Sequence, residues 1–267
     1  MLQRLFNFIF TIYQQRYLIK FLTKREFVSR YIGTLAGVLW AIIHPLFTIM
    51  VFWFIFSVGF KVTGPSEIPF LLYFVTGYAP WLMFSEVLII STNGARGNLV
   101  LIKKTTFPSE VLPFVYMGAA SITHAIFLII IIMLMFFYSV PFSFYIVQVF
   151  YYYIVLCFFL IGLCWILSAA NVFHRDVGQA IGIIINFWFW LTPIIWVKEI
   201  IPSNYQWLIF INPMTYIIEG YRKSLLYQES LFLDFPVTIY FLSLSALSFA
   251  MGALIYKRLK LEFADAI

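Results

Sequence analysis

The chain has 267 residues, 63% of them hydrophobic and 10% charged, with a net charge of +6. Soluble domains carry about 25% charged residues, so this composition excludes a water-soluble core and makes lipid the solvent. No basic stripe lies on a soluble element, which argues against nucleic acid as the partner of the positive charge.

Residues 1–33 come first in chain order. Leu2, Leu5, Phe6, Ile9, Ile12 and Tyr13 recur at helical spacing, opposite Gln3, Arg4, Asn7, Thr11 and Gln14. Leu18, Phe21, Leu22 and Val28 continue the apolar stripe beside Arg16, Lys20, Lys24 and Arg25. An amphipathic helix of this kind lies in the membrane interface, as an anchor or as a working part. Basic residues extend to Arg30, so the segment lacks the compact pattern of a signal peptide.

Six windows are long and apolar enough to cross about 30 Å of hydrocarbon. They are 35–60, 68–91, 111–138, 144–171, 179–197 and 236–256, in one transmembrane domain spanning 1–267. An even number puts both termini on one side. Lys and Arg favour the cytoplasm. With the termini inside, 13 of the 17 basic residues fall on inner segments and four, Lys61, Lys198, Arg222 and Lys223, on outer ones. The expected fold is therefore all-α: an interface helix, six spans, inner loops at 92–110 and 172–178, an outer region at 198–235 and an inner tail at 257–267.

The inner loop TNGARGNLVLIKKTTFPSE carries a short apolar run between Arg96 and the Lys103–Lys104 pair, and Pro108 ends it. It reads either as a solvated basic loop or as a docking element for a cytoplasmic partner. On the outer side, YQWLIFINPMTYIIEG is too apolar for an exposed loop and too short to cross. Runs of that length are re-entrant or interfacial. Pro213 lets the chain turn back, and Gly220 is placed to end one helix and start another.

Within the spans, Gly33 and Gly37 form a GxxxG that lets a second helix approach. Pro45 and Pro193 are expected to kink the first and fifth spans. Glu86 is the one acidic residue well inside a span, where a carboxylate is costly and points to function. Trp81 and Trp196 read as interfacial anchors. Cys157 and Cys164 are about two helical turns apart, too far for a disulfide within the span. The stretch FWFWLTPIIW at 187–196 packs three tryptophans and two phenylalanines into the fifth span.

Several chemistries have no carrier. Nothing matches GxxxxGK[ST], so the chain has no phosphate loop. There is no HExxH, and His44, His124 and His174 are far apart in sequence. The aspartates, Asp176, Asp234 and Asp265, form no DxD. The spans hold almost no carboxylate of the kind that ion-coupled carriers use. An exporter whose energy comes from another chain remains.

Five stretches then carry a resemblance. They are RYIGTLAGVLWAIIHPLFTIMVF (30–52), LLYFVTGYAPWLMFSE (71–86), KKTTFPSEVLP (103–113), NVFHRDVGQAIGIIINFWFWLTPIIW (171–196) and NPMTYIIEGYR (212–222). In this order they resemble the permeases of type-2 ABC exporters, in the polysaccharide-export branch that serves O-antigen, capsule and teichoic acid.

The resemblance implies a homodimer of permeases in the bacterial inner membrane, each docking an ABC ATPase subunit. ATP and Mg would sit on that partner; this chain would carry no cofactor and no catalytic residue. The N-terminal helix would form the entrance for a lipid-linked glycan, with Arg25, Glu26 and Arg30 near its linker. The 92–107 loop would couple to the ATPase through Arg96, Asn98, Leu99, Leu101, Lys103 and Lys104. Arg175 and Asp176 would join them from the second inner loop. Asn212, Pro213, Tyr216, Glu219 and Arg222 would cap the outer mouth.

Spans one and five would line the path. Sugar rings have apolar faces, and aromatic stacking is tolerant of register. Trp40, Phe47, Phe52, Trp53, Phe56, Trp188 and Trp190 are the candidate rings, with packing or anchoring as the alternative for many of them. A drug or lipid exporter is the rival within the same superfamily. A membrane-embedded glycosyltransferase or envelope assembly factor is the rival from another class; Glu67, Glu199, Glu219, Glu229 and Asp234 are too scattered to serve it.

Overall fold

The computed structural model describes residues 10, 12–65, 68–98, 102, 107–231 and 235–263. The described part is helical, without strands. Its main helices are α1 (Arg16–Ser29), α2 (Trp40–Trp53), α3 (Phe70–Gly97), α4 (Leu112–Phe137), α5 (Gln148–Phe173), α6 (Asp176–Leu191), α7 (Gln206–Ile211), α8 (Pro213–Arg222) and α9 (Phe235–Leu259). Among the described residues, five helical stretches are long and apolar enough to cross a membrane: Gly37–Gly59, Phe70–Gly97, Ser109–Phe137, Phe144–Phe173 and Phe235–Leu259.

The window expected as a fifth span, 179–197, is only partly helical. Helix α6 has 16 residues, about 24 Å at 1.5 Å per residue. It stops at Thr192, whose backbone is extended (φ −99°, ψ 136°). The residue before a proline is pushed out of the helical region, so Pro193 ends this helix instead of kinking it.

The GxxxG expectation is also corrected. Gly33 and Gly37 have φ of +81° and +53°, and a Cβ on either would meet nothing within 4 Å. They are turn glycines between α1 and α2, with no helix against them. The close crossing built on glycine lies elsewhere. A Cβ on Gly162 of α5 would come within 2.4 Å of the Ser248 backbone of α9, and one on Gly252 within 2.3 Å of the Gly162 carbonyl oxygen. Without a hydrophobic drive between helices in lipid, such small-residue approaches provide the packing.

Helix α3 forms the centre, with 72% of its most apolar window buried. It packs on α4, α5, α6 and α8. Trp81 is 3% exposed in this core, against Phe84, Trp188 and Phe189. It is a core ring, contrary to the anchor reading. Cys157 and Cys164 are free and buried, as expected of small core residues.

Helix α1 crosses the same end of the bundle as the start of α4. Leu22 is buried with Val111 and Val115, and Leu18 packs beside them. Phe27 meets Ala119 and Ala41. Phe21 and Val28, expected on the same stripe, are exposed instead. Lys260 beyond α9 pairs with Glu110 at 2.5 Å, closing this end, here called the near end. The far end holds the π-helical turn Phe54–Gly59, α7, α8 and the segment after α6.

Candidate functional site

Three places gather the residues singled out by the sequence. At the near end, Arg30 forms an ion pair with Glu86 of α3 and lies 3.7 Å from Glu26. Glu86 is thus compensated from a different helix, which answers why a carboxylate is tolerated at that depth. Tyr31, Thr34, Trp40 and His44 line a cleft of about 470 Å³ around this pair. Burial, the largest influence, raises the Tyr31 phenol above its usual range, and Glu86 adds to that while Arg30 opposes it. Arg25 is exposed and makes no part of this cluster.

Also at the near end, the carboxamide of Asn171 joins three segments. Its Nδ2 donates to the Thr92 carbonyl at 3.0 Å and to Asn93 Oδ1 at 3.2 Å, while its Oδ1 accepts from Gly178 N at 2.9 Å. Arg96 lies beside it, its guanidinium reaching the Asn171 carbonyl at 3.4 Å. Asn98 caps the end of α3 by donating to the Gly94 carbonyl and to the Tyr116 hydroxyl. Arg175 and Asp176 are exposed where α6 starts, and the Asp176 carboxylate suits that helix N-terminus. The ends of α3 and α5 and the start of α6 are therefore tied together. Leu99, Leu101, Lys103 and Lys104 lie outside the described residues.

The second place is the aromatic faces of α2 and α6. The seven candidate rings separate into two groups. Trp40, Phe47, Trp53 and Trp190 are exposed, at 43%, 64%, 40% and 61%. Phe52, Phe56 and Trp188 are half-buried and pack against the core. Phe52 stacks on Phe74 at 4.5 Å and Phe56 on Phe70 at 5.3 Å. Trp188 meets Phe84 edge-on at 5.2 Å and donates its Nε1–H to Asn212 Oδ1 at 2.9 Å. These three rings fasten α2 and α6 to α3. Their neighbours at helical spacing point away from the core.

The third place is the far end. Asn212 is the N-cap of α8, accepting from Met214 N at 3.0 Å, and Pro213 fills the first helical position. Its Nδ2 donates to Thr192 Oγ1 at 2.9 Å, so one asparagine joins the end of α6 to the start of α8. Gly220 lies inside α8, where it neither ends nor starts a helix. A Cβ there would come within 2.2 Å of the Tyr152 ring.

Arg222 is fully buried. It donates to the carbonyls of Pro193 and Ile194 at 2.7 and 2.8 Å and to Glu219 Oε1 at 2.8 Å. Its guanidinium carbon lies 3.6 Å from the Tyr73 ring centroid. The carbonyls freed where α6 unwinds are thereby satisfied. Lys198 approaches the other oxygen of Glu219 at 3.3 Å. Burial alone would raise the Glu219 carboxyl, but the charges of Arg222 and Lys198 win and hold it below its ordinary range. Tyr216 shares hydroxyl contacts with Tyr151 at 3.1 Å and Thr238 at 3.1 Å, linking α8 to α5 and α9.

A family model for the ABC-2 type transporter matches residues 17–226. The chain belongs to the ABC-2 type transporter family. The match runs from α1 through the turn after α8, so the cleft around Arg30 and Glu86, the exposed rings of α2 and α6 and the far-end cluster around Arg222 lie inside the matched region. An O-antigen export system permease protein RfbA of Klebsiella pneumoniae is 26% identical over 247 residues, covering 92% of this chain and 93% of the relative. A protein of the same name from Myxococcus xanthus is 25% identical over 261 residues, covering 96% and 97%.

In this ABC-2 chain the sequence reading missed the residues that join segments. Asn171, Glu110 and Tyr73 stood in apolar or loop context with no partner visible nearby in sequence. The described residues hold no group of three or more His, Cys, Asp or Glu placed to bind a metal. His124 instead makes an internal pair. The Ala79 carbonyl can only accept, so Nδ1 carries the proton at 3.3 Å, and Nε2 accepts from the Tyr221 hydroxyl at 2.9 Å.

Proposed function

We propose that this chain is the membrane-spanning subunit of an ATP-driven exporter that carries a lipid-linked polysaccharide outward across the bacterial inner membrane. Two copies would form the channel, and each would engage one ABC ATPase subunit that holds ATP and Mg. The observation that carries the reading is the set of aromatic rings left exposed on α2 and α6 in a family member whose relatives are named O-antigen export permeases.

The near end is cytoplasmic in this reading, because the basic residues concentrate there. Helix α1 is the interface helix, and α6 with the segment through Trp196 serves as a sixth crossing. Helices α7 and α8 form a re-entrant cap at the outer mouth. The glycan enters beside Arg30, whose pairing with Glu86 gives way to the anionic linker of the lipid carrier. It then passes Trp40, Phe47, Trp53 and Trp190, stacking weakly and repeatedly. The Asn171 junction, with Arg96, Arg175 and Asp176, passes movement of the ATPase into α3 and α6.

The test is a mild-detergent pull-down of the tagged chain from its own membrane, paired with deletion of the chain. An ATPase subunit at equal stoichiometry and loss of surface polysaccharide on deletion are the expected results. A chain that purifies without an ATPase, in cells that keep their polysaccharide, overturns the reading.

A further inference from the structure

The chain beyond α9 turns back onto the inner loop at 92–110. A short turn, Lys260–Glu262, follows α9, and Phe263 after it is fully buried. The Phe263 ring lies edge-on to Tyr256 of α9 at 5.5 Å and to Phe173 at the end of α5 at 6.1 Å. The same apolar cluster holds Ala95 near the end of α3, and Ile102 of the loop packs against it. Lys260 reaches the other end of the loop, where its ammonium meets Glu110 Oε2 at 2.5 Å. The tail therefore adjoins the loop at its entry and grips it at its exit.

The two ends of the loop differ in what fixes them. At the entry, Asn98 bonds to the Gly94 carbonyl and to the Tyr116 hydroxyl, and Ile102 N donates to the Asn98 carbonyl at 2.9 Å. At the exit, Pro108 has no N–H to give, and only the short turn Ser109–Val111 stands before α4. All three residues of that turn are buried. Two other segments hold it. Trp165 of α5 donates its Nε1–H to the Glu110 carbonyl at 3.1 Å, and Lys260 takes the Glu110 carboxylate.

A buried ion pair adds little net stability over an apolar pair of the same shape. It does fix register, because a carboxylate only 5% exposed leaves its cation at a large cost. The pair thus sets which residue of the turn sits under the tail.

We infer that the tail segment 260–263 is a strap whose Lys260 positions the exit of the inner loop, so that movement of the ATPase is delivered into α4 and α9. This rests on the export reading, in which the loop couples to the ATPase. A push on a segment with one loose end is absorbed by its own φ and ψ. With both ends fixed, the push displaces the helices behind it. Lys260 acts through Glu110, as a positioning residue.

The test uses the full chain in complex with its ATPase, purified from the native membrane. ATP hydrolysis is measured on the complex, and the rate at which new glycan reaches the surface is measured on the cells. The double variant Lys260→Met with Glu110→Gln leaves neither charge of the pair behind, so assembly should hold. Its ATP hydrolysis should stay within about twofold while glycan delivery falls about three- to tenfold, the size of one charge-assisted hydrogen bond lost at a partly exposed pair. Lys260→Arg keeps the tether and should deliver glycan as the unaltered chain does.

Unchanged delivery in the double variant overturns the inference. A parallel fall of hydrolysis and delivery, or a complex that no longer assembles, overturns it as well, because the pair would then serve docking or folding. The export reading is judged separately, by deleting the chain. Glycan lost on deletion but delivered in full by the double variant leaves export standing and the strap refuted.

Discussion

Helices α2 and α3 differ in a way that runs against intuition from soluble proteins. The stretch Gly37–Gly59 is the more hydropathic, yet only 17% of its apolar window is buried; for α3 the share is 72%. In water the greasier helix would be the core. In lipid, burial follows shape and hydrogen bonding, because lipid tails are as apolar as leucine. Helix α3 carries Gly77 and Gly94, against which Arg222 and Tyr116 pack closely, and its Ala79 and Thr92 carbonyls accept from His124 and Asn171 of neighbouring helices. Helix α2 offers large rings, two of which reach back to α3 while the rest stay open to lipid or to another chain.

The sharpest way to break this comparison is at Arg222. Arg222→Met takes the donors from the Pro193 and Ile194 carbonyls and leaves the buried Glu219 carboxylate with Lys198 as its one ion-pair partner among the described residues. The loss should be about 3–5 kcal/mol, seen as a collapse of the monodisperse peak in a heated detergent extract. Phe84→Ala in α3 should follow, at about 3–5 kcal/mol for emptying a fully packed ring site. Trp53→Ala with Trp190→Ala, on the open faces, should shift melting by less than about 1 kcal/mol. That pair should still lower surface glycan. Equal destabilisation by the open and the packed rings would dissolve the distinction between the two helices.

Gly162→Ala tests the α5–α9 crossing, where a new Cβ meets backbone and cannot be accommodated by a rotamer change. A loss of about 1–3 kcal/mol is expected, again as a lowered melting midpoint.

The smallest effect is that of pH. The Glu219 carboxyl is held below its ordinary range, so its contribution is full above the unfolded carboxylate pKa. It is lost as pH falls through the lower folded value. Melting midpoints followed from pH 7 downwards should drop in that acid window, and Glu219→Gln should flatten the curve. A curve unchanged by that substitution would remove Glu219 as its source.

Much of the molecule was legible because membrane helices announce themselves by length and composition. Five of the six expected windows match apolar helices in the structure. The sixth, 179–197, is helical only to Leu191, because Pro193 forces Thr192 out of the helix, which a run of apolar letters does not record. Gly33 and Gly37 were misread for a similar reason: spacing says nothing about the sign of φ. The candidate site was legible only by residue type. Arg30, Glu86, Asn212, Glu219 and Arg222 stood out as polar groups in apolar surroundings, but their partners lie 56 to 149 positions apart in the longest pairings. Of the seven candidate rings, composition could not separate the open four from the packed three.

The sequence by itself determined that this chain lives in lipid and that five stretches resemble one family of permeases. Only the tertiary structure decided which polar groups neutralise one another, which rings face outward, and how the broken end of α6 is held. The physical reason is that hydropathy and charge are sums over a chain and survive being read one residue at a time. A buried hydrogen bond or ion pair exists only when two distant segments meet at about 3 Å.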